Sequence, residues 1–424
     1  MPKIARIVAR EILDSRATPT IEVSVLTDSG NFGTASVPSG ASNGKNEDVE
    51  LRDGDPNRYH GKGVLRAVAN VHTILAPALI GFDVADQEKI DARMIEIDGT
   101  KNQSNLGSNS ILAVSIACLK AASSSYKLPL FKYIAARYRP SAQLHIPGPI
   151  FNLINGGKHG AGNLDFQEFH VIPTTKLSYS EALRAGTETW ENLKQELIHR
   201  NAIHSVGDEG GFAPNLFTNA DALELMALVI KNSHYRLGQD LFLGLDVAAT
   251  EFYKDGKYNI KDSPKPVSKE ELTELYLSLV KDYGLLGLED PLEQEDWRGW
   301  SDLRRVLPAS VMLIADDLVT TNAKRLEQAI EKGSCNAVIV KPNQIGTVTE
   351  TIELMNLAEK HNITQIASHR SGETNDSFIA DFAVGMGAHY AKFGAPDRGE
   401  RVAKYNRLLE IEQYLNSANM ANKS

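Results

Sequence analysis

Short apolar runs in the second half of the chain end, one after another, on a charged residue or a histidine. Leu241–Leu245 leads to Asp246, Leu285–Leu288 to Glu289 and Asp290, Val311–Ala315 to Asp316 and Asp317, Ala337–Val340 to Lys341, and Ile363–Ser368 to His369 and Arg370. A weaker run, Ala388–Ala391, ends on Lys392. The separations along Asp246, Glu289, Asp316, Lys341, His369 and Lys392 are 43, 27, 25, 28 and 23 residues. After the longer first gap, each matches a strand, a helix and two turns of an α/β barrel, a fold that carries its chemistry at the C-terminal ends of the strands. The pattern predicts three carboxylates, a lysine, a His-Arg pair and a second lysine around one mouth.

The first third of the chain reads differently. Residues 4–13 and 19–27 are rich in Ile, Val and Thr and predict strands around the turn Asp14-Ser15-Arg16, with a third near Gly33–Val37. A loop, Pro38–Asn46, precedes four helical patterns: Val64–Leu75, Gln87–Ile97, Asn109–Ser123 and Leu130–Tyr138. Strands followed by helices predict a small α+β domain. Pro140, Pro147 and Pro149 set a boundary near 140, giving domains 1–140 and 141–424. Beyond it, Ser178-Tyr179-Ser180-Glu181 and Ser268-Lys269-Glu270-Glu271 read as capping boxes opening helices, with further helices over Thr218–Lys231 and Asn322–Glu331.

Bulk properties narrow the function. A chain of 424 residues with 42% apolar and 23% charged residues fits a two-domain globular protein. Its net charge of −9 leaves no basic excess to neutralise nucleic-acid phosphates. Cys118 and Cys335 stand far apart in apolar contexts and read as buried free thiols. No apolar stretch reaches the ~18 residues of a membrane span. Glu11 and Asp14 soon follow the basic N-terminus, unlike a transit peptide. The expectation is a cytoplasmic protein.

The strand-end residues suggest a chemistry. Asp246, Glu289 and Asp316 offer hard oxygen donors of the kind Mg²⁺ takes, and no His-Cys cluster or His-Glu-x-x-His motif favours zinc. Each carboxylate alone fits a solvated strand end; three on successive strands read as a metal set. Lys341 is a salt-bridge partner or, if its pKa falls, a base. Arg370 brings a guanidinium fork suited to carboxylate or phosphate, and Lys392 a further cation, so the ligand should be multiply anionic. Two glycine-rich segments stand out. Val206–Asn215 places Asp208 and Glu209 among three glycines, and Asn155–Asn163 has the composition of a mobile lid. Either also fits a plain flexible loop. In Asp165–Phe169 strand alternation puts Asp165, Gln167 and Phe169 on one side, Phe166 and Glu168 on the other.

Taken together, these residues make the chain resemble the enolase family, essentially end to end. The segments that carry the similarity include Leu13-Asp14-Ser15-Arg16, Val37-Pro38-Ser39-Gly40-Ala41-Ser42, Gly207-Asp208-Glu209-Gly210-Gly211, Leu288-Glu289-Asp290-Pro291, Lys341-Pro342-Asn343-Gln344 and Ser368-His369-Arg370-Ser371-Gly372-Glu373-Thr374. The resemblance implies an α/β fold: a C-terminal (β/α)8 barrel with an irregular ββαα(βα)6 opening, and a small N-terminal α+β domain over its mouth. It implies a lyase that reversibly dehydrates 2-phosphoglycerate to phosphoenolpyruvate, with two Mg²⁺ per active site. Lys341 would take the C2 proton, and Glu209, with Glu168 beside it, would help the C3 hydroxyl leave, a task that suits a carboxyl of raised pKa. Asp246, Glu289 and Asp316 would hold the first Mg²⁺ and Ser42 the second. Arg370, Ser371 and Lys392, aided by His159, Gln167 and His369, would bind phosphate and carboxylate. A homodimer or larger homo-oligomer is implied as well.

Several positions depart from the family pattern. Ala17-Thr18 stand for a common Gly-Asn, Asn43 for Thr, Gly160-Ala161-Gly162 for the usual lid after the histidine, and Phe393, Asp397 and Gly399 for a common Thr and two common small residues, often Ser, near Lys392. None removes a proposed ligand or proton carrier. An acid-sugar dehydratase of the same superfamily would share the three carboxylates but usually lacks the Ser42 loop and the Gly-Asp-Glu-Gly-Gly segment. A scaffold without catalysis would not need the whole set.

Overall fold

A computed structural model describes residues 1–40, 44–160 and 164–421, with side chains to 418. Alternating burial builds the N-terminal sheet. Ile4–Leu13, Pro19–Thr27 and Phe32–Ser36 form an antiparallel meander in that order. In its central strand Ile21, Val23 and Val25 are fully buried. Helix Ser108–Ser125 packs against this sheet and is itself buried along most of its length. The helix read from Val64 is a composite: Leu65–Asn70, a widened π turn Val71–Leu75, then Ala76–Leu79. Pro77 near the start of the last piece contributes no N–H, and a looser turn absorbs the missing bond.

Beyond residue 140 eight strands close a barrel. Around it run Met312–Ala315, Ala337–Val340, Thr364–Ser368, Tyr390–Lys392, Gly148–Asn155, Glu168–Pro173, Leu241–Asp246 and Leu285–Glu289. Glu168–Pro173 is antiparallel to both neighbours, while every other pair is parallel. Two strands, then helices Tyr179–His199 and Asn219–Lys231, then regular βα units give the irregular opening that the resemblance implies. The long gap after Asp246 is accounted for by a short helical turn, Ala249–Phe252, and a small hairpin of Tyr253–Lys254 with Lys257–Tyr258. Ile150, Ile172, Ile314, Ile339 and Ile366 fill the barrel below its mouth.

The N-terminal part reaches over that mouth. Ser39 and Gly372 exchange backbone hydrogen bonds of 2.8 and 3.0 Å. A side chain at Gly372 would put Cβ 2.3 Å from Asp14 Oδ2, so the approach needs glycine there. Cys118 and Cys335 are buried free thiols. Among the described residues no single helix is long and apolar enough to cross a membrane.

Candidate active site

Strand register brings the acids together. Glu168 lies opposite Asp246 across an antiparallel pair, and Asp246 opposite Glu289 across a parallel one. Asp316 follows the next strand, Met312–Ala315. Lys392 answers the first three: its Nζ lies 3.1 Å from Glu168 Oε2, 3.0 Å from Asp246 Oδ2 and 2.8 Å from Glu289 Oε2. Lys341 pairs with Asp316. Burial alone would lower the pKa of Lys392, but Asp246, Glu168 and Glu289 outweigh it and hold the ammonium well above its ordinary range. The same contest at Lys341, burial against Asp316, ends above the ordinary value.

The expected metal set therefore converges on one region with the two lysines among its carboxylates. Among the described residues, Asp290, Asp316 and Asp317 bring carboxylate oxygens within 4.8 Å of one another, and His159, Glu168 and Glu209 form a second group as close. Asp290 is occupied structurally, accepting the backbone N–H groups of Asp316 at 3.0 Å and Asp317 at 2.8 Å, and so aims the turn that bears Asp316. Glu289 Oε1 is buried without a hydrogen-bond partner among the described residues. Burial and the charge of Asp246 push the Glu289 carboxyl well above its usual range. A crowded set of hard oxygen donors with one buried oxygen unsatisfied fits a hard divalent cation.

A second cluster lies beside it. His159 Nδ1 is 3.1 Å from Glu168 Oε1 and 3.5 Å from Glu209 Oε1. His170 Nε2 is 2.9 Å from Glu168 Oε2, His369 Nε2 is 3.4 Å from Glu209 Oε2, and Asn152 Nδ2 donates to Glu209 at 3.1 Å. Both acids are only 2% exposed. Burial and the neighbouring Glu168 raise the Glu209 carboxyl, yet the charge of His159 and the hydrogen bond from His369 more than compensate and hold it below its ordinary range. The raised carboxyl expected for an acid at this position is thus not found here, because two imidazoles face it.

Arg370 closes the third side. Its guanidinium donates to Glu47 at 2.9 and 3.2 Å and to Asn343 Oδ1 at 3.0 Å. Eleven of the thirteen residues singled out line one cleft: His159, Gln167, Glu168, Glu209, Asp246, Asp316, Lys341, His369, Arg370, Ser371 and Lys392. Glu289 joins them through Lys392. Ser42, Asn43, Ala161 and Gly162 lie outside the described residues.

Local expectations fared unevenly. Strand Glu168–Pro173 starts only at Glu168, so alternation does not extend back to Asp165, and Gln167 and Glu168 both line the cleft. The segment around Glu209 is no solvated turn: Glu209, Gly210, Gly211 and Phe212 are buried, with Phe212 bridged to Ile154. Ala17 has a left-handed backbone, φ 55°, where the family's common glycine would cost nothing. A Cβ at Gly160 would meet Asn155 O at 2.3 Å, which explains a glycine at this position. Phe393 is fully buried, its ring 5.8 Å from that of Tyr405. His170 escaped the sequence reading, although it stands two residues from Glu168 on one strand and so on one face. Glu47, Asn152 and Arg401 carry no local sequence signal for their contacts, and Asp290 was legible as a strand-end acid but not as the acceptor that holds the Asp316 turn.

Two family models match: the enolase N-terminal domain over residues 4–134 and the enolase C-terminal TIM barrel domain over residues 143–423. The chain belongs to the enolase family. A curated enolase from Rubrobacter xylanophilus is 49% identical over 418 residues, covering 99% of this chain and 96% of that protein. The enolase family makes this chain a lyase, of the phosphopyruvate hydratase type.

Proposed function

We propose that this enolase-family chain reversibly dehydrates 2-phosphoglycerate to phosphoenolpyruvate, as a step of glycolysis and gluconeogenesis. The observation that supports it is a single cleft lined by Lys341, by the buried pair Glu168 and Glu209, and by the cations Arg370 and Lys392. A phosphorylated hydroxy acid carries a phosphate and a carboxylate for those cations. Its C2 hydrogen is weakly acidic, since its removal leaves a dianionic enediolate. Asp246, Glu289 and Asp316 would hold one Mg²⁺ and Ser42 a second. When bound, such ions would supply positive charge against the developing enediolate, and a Lys or His base with one or two Mg²⁺ ions is the known pattern of the enolase superfamily.

Lys341 takes the C2 proton in this reading. It must first be neutral, and Arg370 and Lys392 both act to lower its pKa, against the pull of Asp316. The C3–O bond then breaks, and the departing hydroxide takes a proton from the Glu209 side to leave as water. The two anionic groups of the substrate enter a pocket where Glu209 is ionised, and their charge raises its pKa toward that of a donor. Glu168, held by Lys392, His159 and His170, stays ionised and fixes His159. Arg370, Ser371, Gln167, His159 and His369 orient the anionic groups.

The reading includes a division at about residue 140, a cytoplasmic location, and a homodimer or larger homo-oligomer, which mass measurement in solution would test. Its central test is phosphoenolpyruvate formation from 2-phosphoglycerate with Mg²⁺, with chelator, and with a panel of sugar acids. Chelator-sensitive turnover of 2-phosphoglycerate alone is expected. Turnover of sugar acids only would replace the assignment.

A further inference from the structure

We propose that Arg401 is a positioning residue that fixes the tautomer of His369, so that this imidazole can only donate to Glu209. The inference rests on the proposed role of Glu209. Arg401 stands near the start of helix Gly399–Ala421 and is fully buried. Its Nη1 contacts His369 Nδ1 at 2.8 Å and donates to Arg370 O at 2.5 Å. Its Nη2 donates to Ser371 O at 2.5 Å and to Asp208 O at 3.0 Å. One guanidinium therefore ties the His369-Arg370-Ser371 turn to the loop that presents Glu209.

A guanidinium has only N–H donors. His369 Nδ1 must then accept, and a ring that accepts at Nδ1 is neutral with its proton on Nε2. That Nε2 lies 3.4 Å from Glu209 Oε2. The charged groups facing the imidazole are Glu209 and Glu168 from the cleft and Arg401 from the helix. Burial and Arg401 together keep the ring below its ordinary pKa despite Glu209.

The consequence concerns where a proton can go. If Nε2 were an acceptor, Glu209 would lose its proton to the imidazole rather than to the departing hydroxide. With Nδ1 occupied by Arg401, that route is shut. Glu209 meets an N–H that orients its carboxyl and leaves its own proton for the C3 oxygen. A purely structural arginine would hold the loop but leave protonation of His369 unaffected.

The test uses the full-length protein with ¹⁵N-labelled histidines, the His369 signals being assigned by their loss in His369→Gln. The native protein should show an unprotonated Nδ1 and a protonated Nε2, unchanged from about pH 5.5 to 8.5. In Arg401→Lys the ring should titrate within that window. Dehydration by this variant should gain an alkaline limb, with kcat down about tenfold or more at pH 8, where the neutral ring can accept at Nε2, and largely recovered at pH 6, where both ring nitrogens carry protons, within the range of a disturbed acid–base group. Exchange of the C2 hydrogen with solvent should keep its native pH dependence. An imidazolium or an Nδ1–H ring in the native protein at pH 7 overturns the proposal even if the variant fails to fold. So does a folded Arg401→Lys protein with native His369 signals and a native pH profile. Absence of 2-phosphoglycerate turnover by the native protein would instead strike the proposed function and leave the tautomer result standing.

Discussion

Lys341 and Lys392 decide the charge balance of the cleft. Each is an ammonium surrounded by acids, and neither is replaceable by a neutral group without leaving carboxylates to repel one another. Lys341→Ala should abolish exchange of the C2 hydrogen of 2-phosphoglycerate in heavy water, a loss of at least about 10³-fold, with ligand affinity changed far less. Exchange at the native rate would remove this lysine from the base role. Asp316→Asn should weaken Mg²⁺ binding by more than about tenfold, read by calorimetric titration, since a neutral amide replaces one of the hard anionic donors. Residues of this kind were legible because the chain places them at the ends of apolar strands. Arg401 was not: it reaches His369 from 32 residues away, and nothing in its surroundings along the chain marks a buried guanidinium. Glu209 was legible as a position but not in its ionisation, which follows from His159 and His369 arriving on other elements.

Elements obey their local signals where those signals act within a few residues. Ser268 and Thr218 form reciprocal caps with Glu271 and Asp221, whereas Ser178 accepts from Glu181 N without the return bond. Thr218→Ala should destabilise the protein by about 1 kcal/mol, measured by urea denaturation, because it leaves the Asp221 N–H without its cap at the helix start. The turn between the first two strands shows the opposite case. Asp14 Oδ1 accepts from the backbone N–H groups of Arg16 and Thr18, which forces the intervening Ala17 into the left-handed region. An alanine there is strained and a glycine is not. Ala17→Gly should raise stability by about 1 kcal/mol, and a lower urea midpoint would contradict the strain. Longer-range effects stay hidden from such reading. The start of the strand at Glu168 is set by pairing with Asp246 on the adjacent strand rather than by alternation among its own neighbours.

At the scale of the whole molecule, acids gather where the N-terminal part meets the barrel. Asp48 hydrogen-bonds through its backbone N–H to Gln344 O at 2.9 Å, on the rim of the barrel. Burial, then Glu350, Asp98 and Glu47, push its carboxyl up to about 8. Burial raises Glu350, on helix Val348–Lys360, to about 7. Both groups hold protons more tightly folded than unfolded. Their contribution to stability is complete below the unfolded carboxyl range near 4, shrinks as pH rises through 7 to 8, and is gone above it. The contact is therefore weakest in alkaline solution. Asp48→Asn keeps the shape without the titration. Compared with the native chain at fixed Mg²⁺ concentration, this variant should gain stability between pH 6 and 9, its urea midpoint diverging upward as pH rises. A constant difference across that range would show that Asp48 does not titrate there. The cluster was not legible in the sequence, since its four acids come from a loop, two helices and both parts of the chain. Its position matters for the cleft as well: Glu47, next to Asp48, holds Arg370, so loosening this contact at high pH should also raise KM for the anionic substrate before kcat declines.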